Sequence, residues 1–191
     1  GYLSCNFAGS RRFKVGSARD HILGFRGVNG KGEIIKSGGT VVKNVTGYDL
    51  SKLVTGSFGT LVALTEIVLK VLPKKKLSNT VIIYTEDKNL VNKLFEKISS
   101  SSSEVSGAAY VPDEPQDESY NHNKEMVFKF NDLKSKGSFL ALRIEGDKIS
   151  IDERIKALTE ELELNKLNTS LLDVHQSVPF WKKINNLELF A

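Results

Sequence analysis

Two glycine-punctuated loops hold the residues of this chain best suited to chemistry. The first runs through Asn44, Gly47, Tyr48 and Asp49 into a short helical segment around Leu50 to Val54. The second, Gly56-Ser57-Phe58-Gly59-Thr60, delivers the chain into an apolar segment, Leu61 to Leu72, closed by Pro73. Glycine is needed where a backbone takes positive φ or lies against a ligand. Two such places, with hydroxyls and amides between them, suit a bulky ligand carrying phosphate and polar ring edges. Each residue also has a purely structural reading. Asp49 caps the Leu50 helix as readily as it faces a ligand, and Tyr48 fits a core as readily as a ring-stacking position.

Other chemistries find less support. The three histidines, His21, His122 and His175, are scattered, and none pairs with another His, Cys or carboxylate at metal-ligand spacing. Gly30-Lys31 lacks the Gly-Lys-Ser/Thr ending of a phosphate loop and reads as a hairpin turn. A net charge of +4 is mild, and the Lys74-Lys75-Lys76 run has no interleaved aromatics, which makes it a solvated connector rather than a nucleic-acid patch. Cys5 is the single cysteine, so neither an internal disulfide nor an iron–sulfur cluster can be built from this chain. A reducing compartment is expected, and no apolar stretch reaches membrane-spanning length.

The elements that must position these loops change character near Pro73 to Ser78. Before it they are short and sheet-like: strands at Arg12 to Val15, Ile22 to Val28 and Glu33 to Lys36, with Asn29-Gly30-Lys31-Gly32 as a hairpin turn. Leu61 to Leu72 is apolar on both faces and rich in β-branched residues, which predicts an interior strand of a mixed sheet. After it, strands are predicted at Thr80 to Tyr84, Val105 to Val111, Met126 to Phe130, Phe139 to Ile144 and Ser170 to Val174. Helices are predicted from Asp87 to Ile98, from Asp152 to Leu164, and from Pro179 onward. Leu90, Val91, Leu94, Phe95 and Ile98 share one helical face. Pro112 to Lys124 reads as a polar, acidic loop. Trp181-Lys182-Lys183 suits an amphipathic anchor better than a substrate clamp. Strand-helix-strand twice over is the split βαβ order of ferredoxin-like domains, giving an α+β chain with domains at 1–75 and 79–191.

The stretch from Gly9 to Gly24, with Arg12, Gly16, Arg19-Asp20 and Leu23-Gly24, precedes the hairpin. The order R-x-x-x-G-x-x-R-D-x-x-L-G, hairpin, K-N-x-x-G-Y-D-L-x-x-L-x-x-G-S-x-G-T-L, strand, Pro resembles the second half of the FAD-binding domain of vanillyl-alcohol-oxidase/PCMH-type flavoproteins. Within that group it is most similar to the FAD-binding subunits of bacterial glycolate oxidases. The resemblance implies FAD as cofactor, with Ala8, Gly9 and Ser10 passing along it. It makes Gly47, Tyr48 and Asp49 the facing turn, Gly56, Ser57, Gly59 and Thr60 the second contact loop, and Leu64 a backbone contact at the adenine end. Arg19 and Asp20 either touch the cofactor or fix a strand end. Where relatives have Gly-Thr-Leu-Gly this chain has Gly59-Thr60-Leu61-Val62, and Val62 either obstructs that loop or points into the core.

The resemblance further implies a chain truncated before Gly1, with FAD bound weakly or not at all in these residues alone. It implies a complex with a larger flavoprotein subunit and an iron–sulfur subunit, a 2-hydroxy-acid substrate, and a cytoplasmic location at the inner face of the membrane through those partners. No catalytic base is identifiable. A stand-alone D-lactate-type dehydrogenase and a structural subunit without flavin remain as alternative readings.

Overall fold

The structure is a computed structural model and describes residues 1–39, 47–112 and 137–186. It divides into two compact units, residues 1–74 and 75–191.

The first unit contains α1 (Arg12–Val15), α2 (Ala18–His21), β1 (Ile22–Asn29), β2 (Ile34–Gly38), α3 (Leu50–Val54) and β3 (Val62–Leu69). Its three strands lie in the order β2-β1-β3, every neighbour antiparallel. The hairpin closes on Asn29, whose Oδ1 accepts the amides of Lys31 (2.9 Å) and Glu33 (3.0 Å), with Gly32 at φ +81. Leu3, Ala18, Ile22, Phe25, Val54 and Val62 form the core beneath it.

Three expectations are corrected here. Arg12 to Val15 is a single helical turn, closed by the amides of Val15 and Gly16 on the carbonyls of Arg11 and Arg12. Among the described residues β1 has β2 on one side and β3 on the other, so no ladder position remains for it there. The sheet is antiparallel rather than mixed. The third concerns β3, which among the described residues is an outer strand and not an interior one, with Ile67 and Leu69 exposed and Val71 and Leu72 beyond its end. Its apolar run covers an edge that the sequence alone cannot distinguish from a centre.

The second unit runs β4 (Leu77–Tyr84), α4 (Lys88–Ser100), β5 (Gly107–Val111), β6 (Phe139–Gly146), α5 (Lys148–Glu161), β7 (Thr169–Leu172) and α6 (Val174–Asn185). The antiparallel sheet order β5-β6-β4-β7 is the split βαβ arrangement of ferredoxin-like folds. Period-two alternation sorts the side chains. Val81, Ile83, Leu140, Leu142 and Ile144 turn to one face, where they pack with Leu94 and Ile98 of α4 and Ile151 and Leu158 of α5. Ile82, Phe139 and Ala141 turn to the other and meet Phe180, Trp181 and Ile184 of α6. A buried hydroxyl seam fixes α6 there: Ser177 Oγ lies 3.0 Å from Ser78 Oγ and 2.7 Å from Thr80 Oγ1, and Trp181 Nε1 donates to Thr80 Oγ1 at 2.7 Å.

Boundaries moved for identifiable reasons. α5 begins at Lys148 because Asp147 is its N-cap, and β5 begins at Gly107. Pro179 lies inside α6 instead of opening it. Asp173 caps that helix, accepting the amides of His175 (2.9 Å) and Gln176 (3.0 Å). The strand expected at Met126 to Phe130 and most of the acidic loop lie outside the described residues. Trp181 is buried against the sheet, which agrees with an anchor.

Candidate functional site

The first unit brings the site segments together through its N-terminal turn. Residues 1–7 coil on themselves, with Cys5 donating to the Gly1 carbonyl and Phe7 to that of Tyr2. This turn then receives the second glycine loop: the Gly56 amide reaches the Leu3 carbonyl at 3.2 Å and the Phe58 amide the Ser4 carbonyl at 2.8 Å. Asn6, at φ +52, accepts the Arg19 amide through its side-chain oxygen at 3.0 Å. Arg19 Nε in turn reaches the Lys52 carbonyl of α3 at 3.4 Å. Arg19 is thus a clip between α2 and α3, whose two ends carry the two glycine loops.

Asp49 caps α3, accepting the Lys52 amide at 3.1 Å. The capping reading is therefore correct for its side chain, and its backbone stays available. Tyr48 is 91% exposed and belongs to no core. Asp20 accepts both the Ser17 amide (2.7 Å) and the Ser17 hydroxyl (3.0 Å). The backbone bond above all, then the hydroxyl, holds its carboxyl below the usual carboxylate range. Gly16 permits this closure, because a Cβ there would stand 2.4 Å from Asp20 Oδ2. His21 presents Nε2 to the Val15 carbonyl (2.9 Å) and Nδ1 to that of Lys70 (3.3 Å), tying α1 to the end of β3. Both ring nitrogens thus face backbone carbonyls.

Backbone accounting separates the predicted contact segments. In the loop Gly56 to Thr60, the amides of Gly56, Ser57, Phe58 and Thr60 all bond to protein carbonyls. The hydroxyls of Ser57 and Thr60 likewise donate inward, to Val54 and Ser57, each at 2.7 Å. Gly59, at φ +79, keeps an unengaged amide. So do Ala8 and Gly9 in the N-terminal segment and Gly47, Tyr48 and Asp49 ahead of α3, among the described residues. Ser10 is half-buried, and Leu64 packs partly against the core from β3. Val62 is buried in that core and so points away from the loop it follows. It fills room left by Gly27 of β1, where a Cβ would stand 2.6 Å from Val62 Cγ2.

Comparison with known proteins gives the arrangement its context. No family model matches the chain. Glycolate oxidase subunit GlcE of Escherichia coli is 51% identical over 78 residues, 41% of this chain and 22% of the relative. Glycolate oxidase subunit GlcD of Bacillus subtilis is 39% identical over 87 residues, 46% of this chain and 18% of the relative. The homologues of this chain thus include proteins named as glycolate oxidase subunits and as FAD-linked oxidoreductases. The mitochondrial D-2-hydroxyglutarate dehydrogenase of Arabidopsis thaliana extends the match over both units, at 28% identity across 95% of this chain and 33% of the relative. The chain therefore spans about a fifth to a third of the length of these relatives. A solved structure of alkyldihydroxyacetonephosphate synthase matches all of the chain and 36% of its own length, with a TM-score of 0.66 at 21% identity, which establishes the fold.

Beside these FAD-linked homologues, one residue of the site escapes sequence reasoning. Phe58 has φ +54 and is 75% exposed. An aromatic flanked within two residues by Gly56 and Gly59 in a tight turn has no room to fold back into a core. That spacing was the available signal. No group of three or more potential metal ligands occurs among the described residues, nor does a helix long and apolar enough to cross a membrane.

Proposed function

We propose that the chain is part of a flavin-dependent 2-hydroxy-acid oxidoreductase of the glycolate oxidase subunit kind. Residues 1–75 would be the C-terminal part of its FAD-binding domain and 79–191 its cap or substrate-type domain. The observation that carries the reading is the set of unengaged amides at Ala8, Gly9, Gly47, Tyr48, Asp49 and Gly59 on loops that α3 and the N-terminal turn hold together. Amides free of protein acceptors and near glycines suit a pyrophosphate and the polar edges of a ring. Charge agrees: Arg12 lies beside these loops, while the Asp20 carboxylate is engaged by Ser17 and that of Asp49 is paired with Lys52. When bound, FAD would take up the two electrons released when a 2-hydroxy acid is oxidised to the keto acid. This chain's residues would bind and orient it, with Arg19 and Asn6 keeping the loops in register.

Electrons would leave through partner subunits, a larger flavoprotein and an iron–sulfur protein, since one cysteine supplies too few thiolates for a cluster. A stand-alone dehydrogenase is the second reading, favoured by the 95% coverage against D-2-hydroxyglutarate dehydrogenase. The parent protein, purified alone and then with co-expressed neighbours, separates the two in a dye-reduction assay with glycolate and D-lactate. Turnover only in the complex supports the subunit reading, and robust turnover by the lone parent supports the second. Absence of flavin from the parent in both preparations refutes both.

A further inference from the structure

Phe58 stands out among the exposed residues of the first unit for two independent reasons. Its backbone is left-handed, a conformation unfavourable for a bulky L-residue. Its ring is three-quarters exposed, so no burial offsets that cost. The conformation persists because the loop is held from outside: Phe58 donates its amide to Ser4 at 2.8 Å, Gly56 donates to Leu3 at 3.2 Å, and Asn6 is locked by Arg19 at 3.0 Å. Strain kept in place by surrounding bonds, at a residue that gains nothing locally, points to use elsewhere.

The backbone accounting says what use. With four of five amides between Gly56 and Thr60 satisfied by the protein, this loop has one free amide, at Gly59, and cannot wrap a phosphate in a ring of donors. Its outward offering is the Phe58 ring beside that amide. Arg12 lies on the adjoining N-terminal segment and Lys52 offsets Asp49, so an anionic ligand is tolerated nearby.

We propose that Phe58 stacks on a planar heterocycle of the bound dinucleotide, with Gly59 N–H donating to that ring's polar edge, and that Asn6 is the positioning residue that holds Phe58 outward. This rests on the flavin reading above and assigns the loop to ring recognition rather than phosphate recognition.

The test is calorimetric titration of the flavin-stripped parent protein with FAD, riboflavin and ADP, for the wild type and for Phe58→Gly, Phe58→Asn and Phe58→Tyr. Glycine and asparagine both accept the left-handed backbone, so both variants should melt at or above the wild-type temperature while binding FAD about three- to tenfold more weakly. Phe58→Tyr should bind as the wild type does. The half-ligand that shows the same loss, riboflavin or ADP, identifies the stacked ring. Asn6→Ala should loosen the loop, seen as faster hydrogen exchange at the Gly56 and Phe58 amides, and Asn6→Asp, which keeps the acceptor, should restore protection. Wild-type affinity in Phe58→Gly and Phe58→Asn overturns the stacking assignment and leaves the flavin reading standing. No saturable binding of FAD by the wild-type parent protein overturns the flavin reading and the assignment with it.

Discussion

Gly27→Ala tests whether Val62 is a packing residue matched to β1 rather than an obstruction in the ligand loop. A Cβ at position 27 would lie 2.6 Å from Val62 Cγ2 and 2.7 Å from the Ala63 carbonyl oxygen. Carbon atoms prefer about 3.5 to 4.0 Å, so the valine must retreat by roughly an ångström inside a filled core. Overpacking of that size costs about 1–3 kcal/mol. In a unit of 74 residues each kcal/mol moves the melting temperature by about 4–8 °C, which makes the effect easy to read. Val62→Ala alone removes two buried methyl groups and should cost about 1.5–3 kcal/mol. In the double variant the new methyl occupies part of the space that the valine vacates. The two costs should then fall short of additivity by about 1 kcal/mol or more; the contact with the Ala63 oxygen remains and limits the rescue. Hydrogen exchange of β1 and β3 peptides follows the first unit, while Trp181, the only tryptophan, reports the second. Additive costs in the double variant would refute the packing pair.

Trp181→Phe removes the hydrogen bond to Thr80 and puts a smaller ring where the indole lies under Arg143, 4.6 Å from its guanidinium carbon. Thr80 keeps Ser177 as partner, so the second unit should lose about 1–2 kcal/mol by chemical denaturation; no loss would show that the seam does not anchor α6. Asp173→Ala should cost about 1 kcal/mol through the lost cap of α6, visible as earlier exchange across Val174 to Ser177, whereas Asp173→Asn should cost much less. For Asp20 the sign follows from its lowered carboxyl: its contribution is complete above the unfolded carboxyl's range and disappears as pH falls through the folded one. The stability gap in the first unit between wild type and Asp20→Asn should therefore shrink in acid, and a gap independent of pH would contradict the assignment.

What could be read from the residues depended on whether a pattern had one physical solution. Asn29-Gly30-Lys31-Gly32 permits little besides a tight hairpin, and the α4 stripe from Leu90 to Ile98 permits little besides a packed helix; both are as expected. Asp49 and Asp87 were legible as caps for the same reason. Arg12 to Val15 misled because four residues alternate as well in one helical turn as in a strand, and only the occupancy of both flanks of β1 decides. β3 misled because apolar residues on both faces signal burial by something, without saying whether that cover is another strand. The two glycine-punctuated loops were legible as loops, but not which of their amides are engaged. Which amides are free depends on the N-terminal turn, more than forty residues away in sequence from the loop it satisfies.

That dependence bears on how the two glycine loops divide their work. A loop becomes a phosphate cradle when its amides lack internal acceptors, and Gly47 to Asp49 meets that condition while Gly56 to Thr60 does not, apart from Gly59. Two glycine-rich turns of similar composition thus differ in chemistry because one of them is docked on Leu3 and Ser4. Losing that dock would free the amides of Gly56 and Phe58 and release the strained Phe58 backbone together. On the flavin reading, a weakened N-terminal turn should therefore trade ring contact for unspecific amide exposure. Affinity for the heterocycle would fall while affinity for inorganic pyrophosphate stayed level or rose, a pattern that simple unfolding of the unit cannot produce.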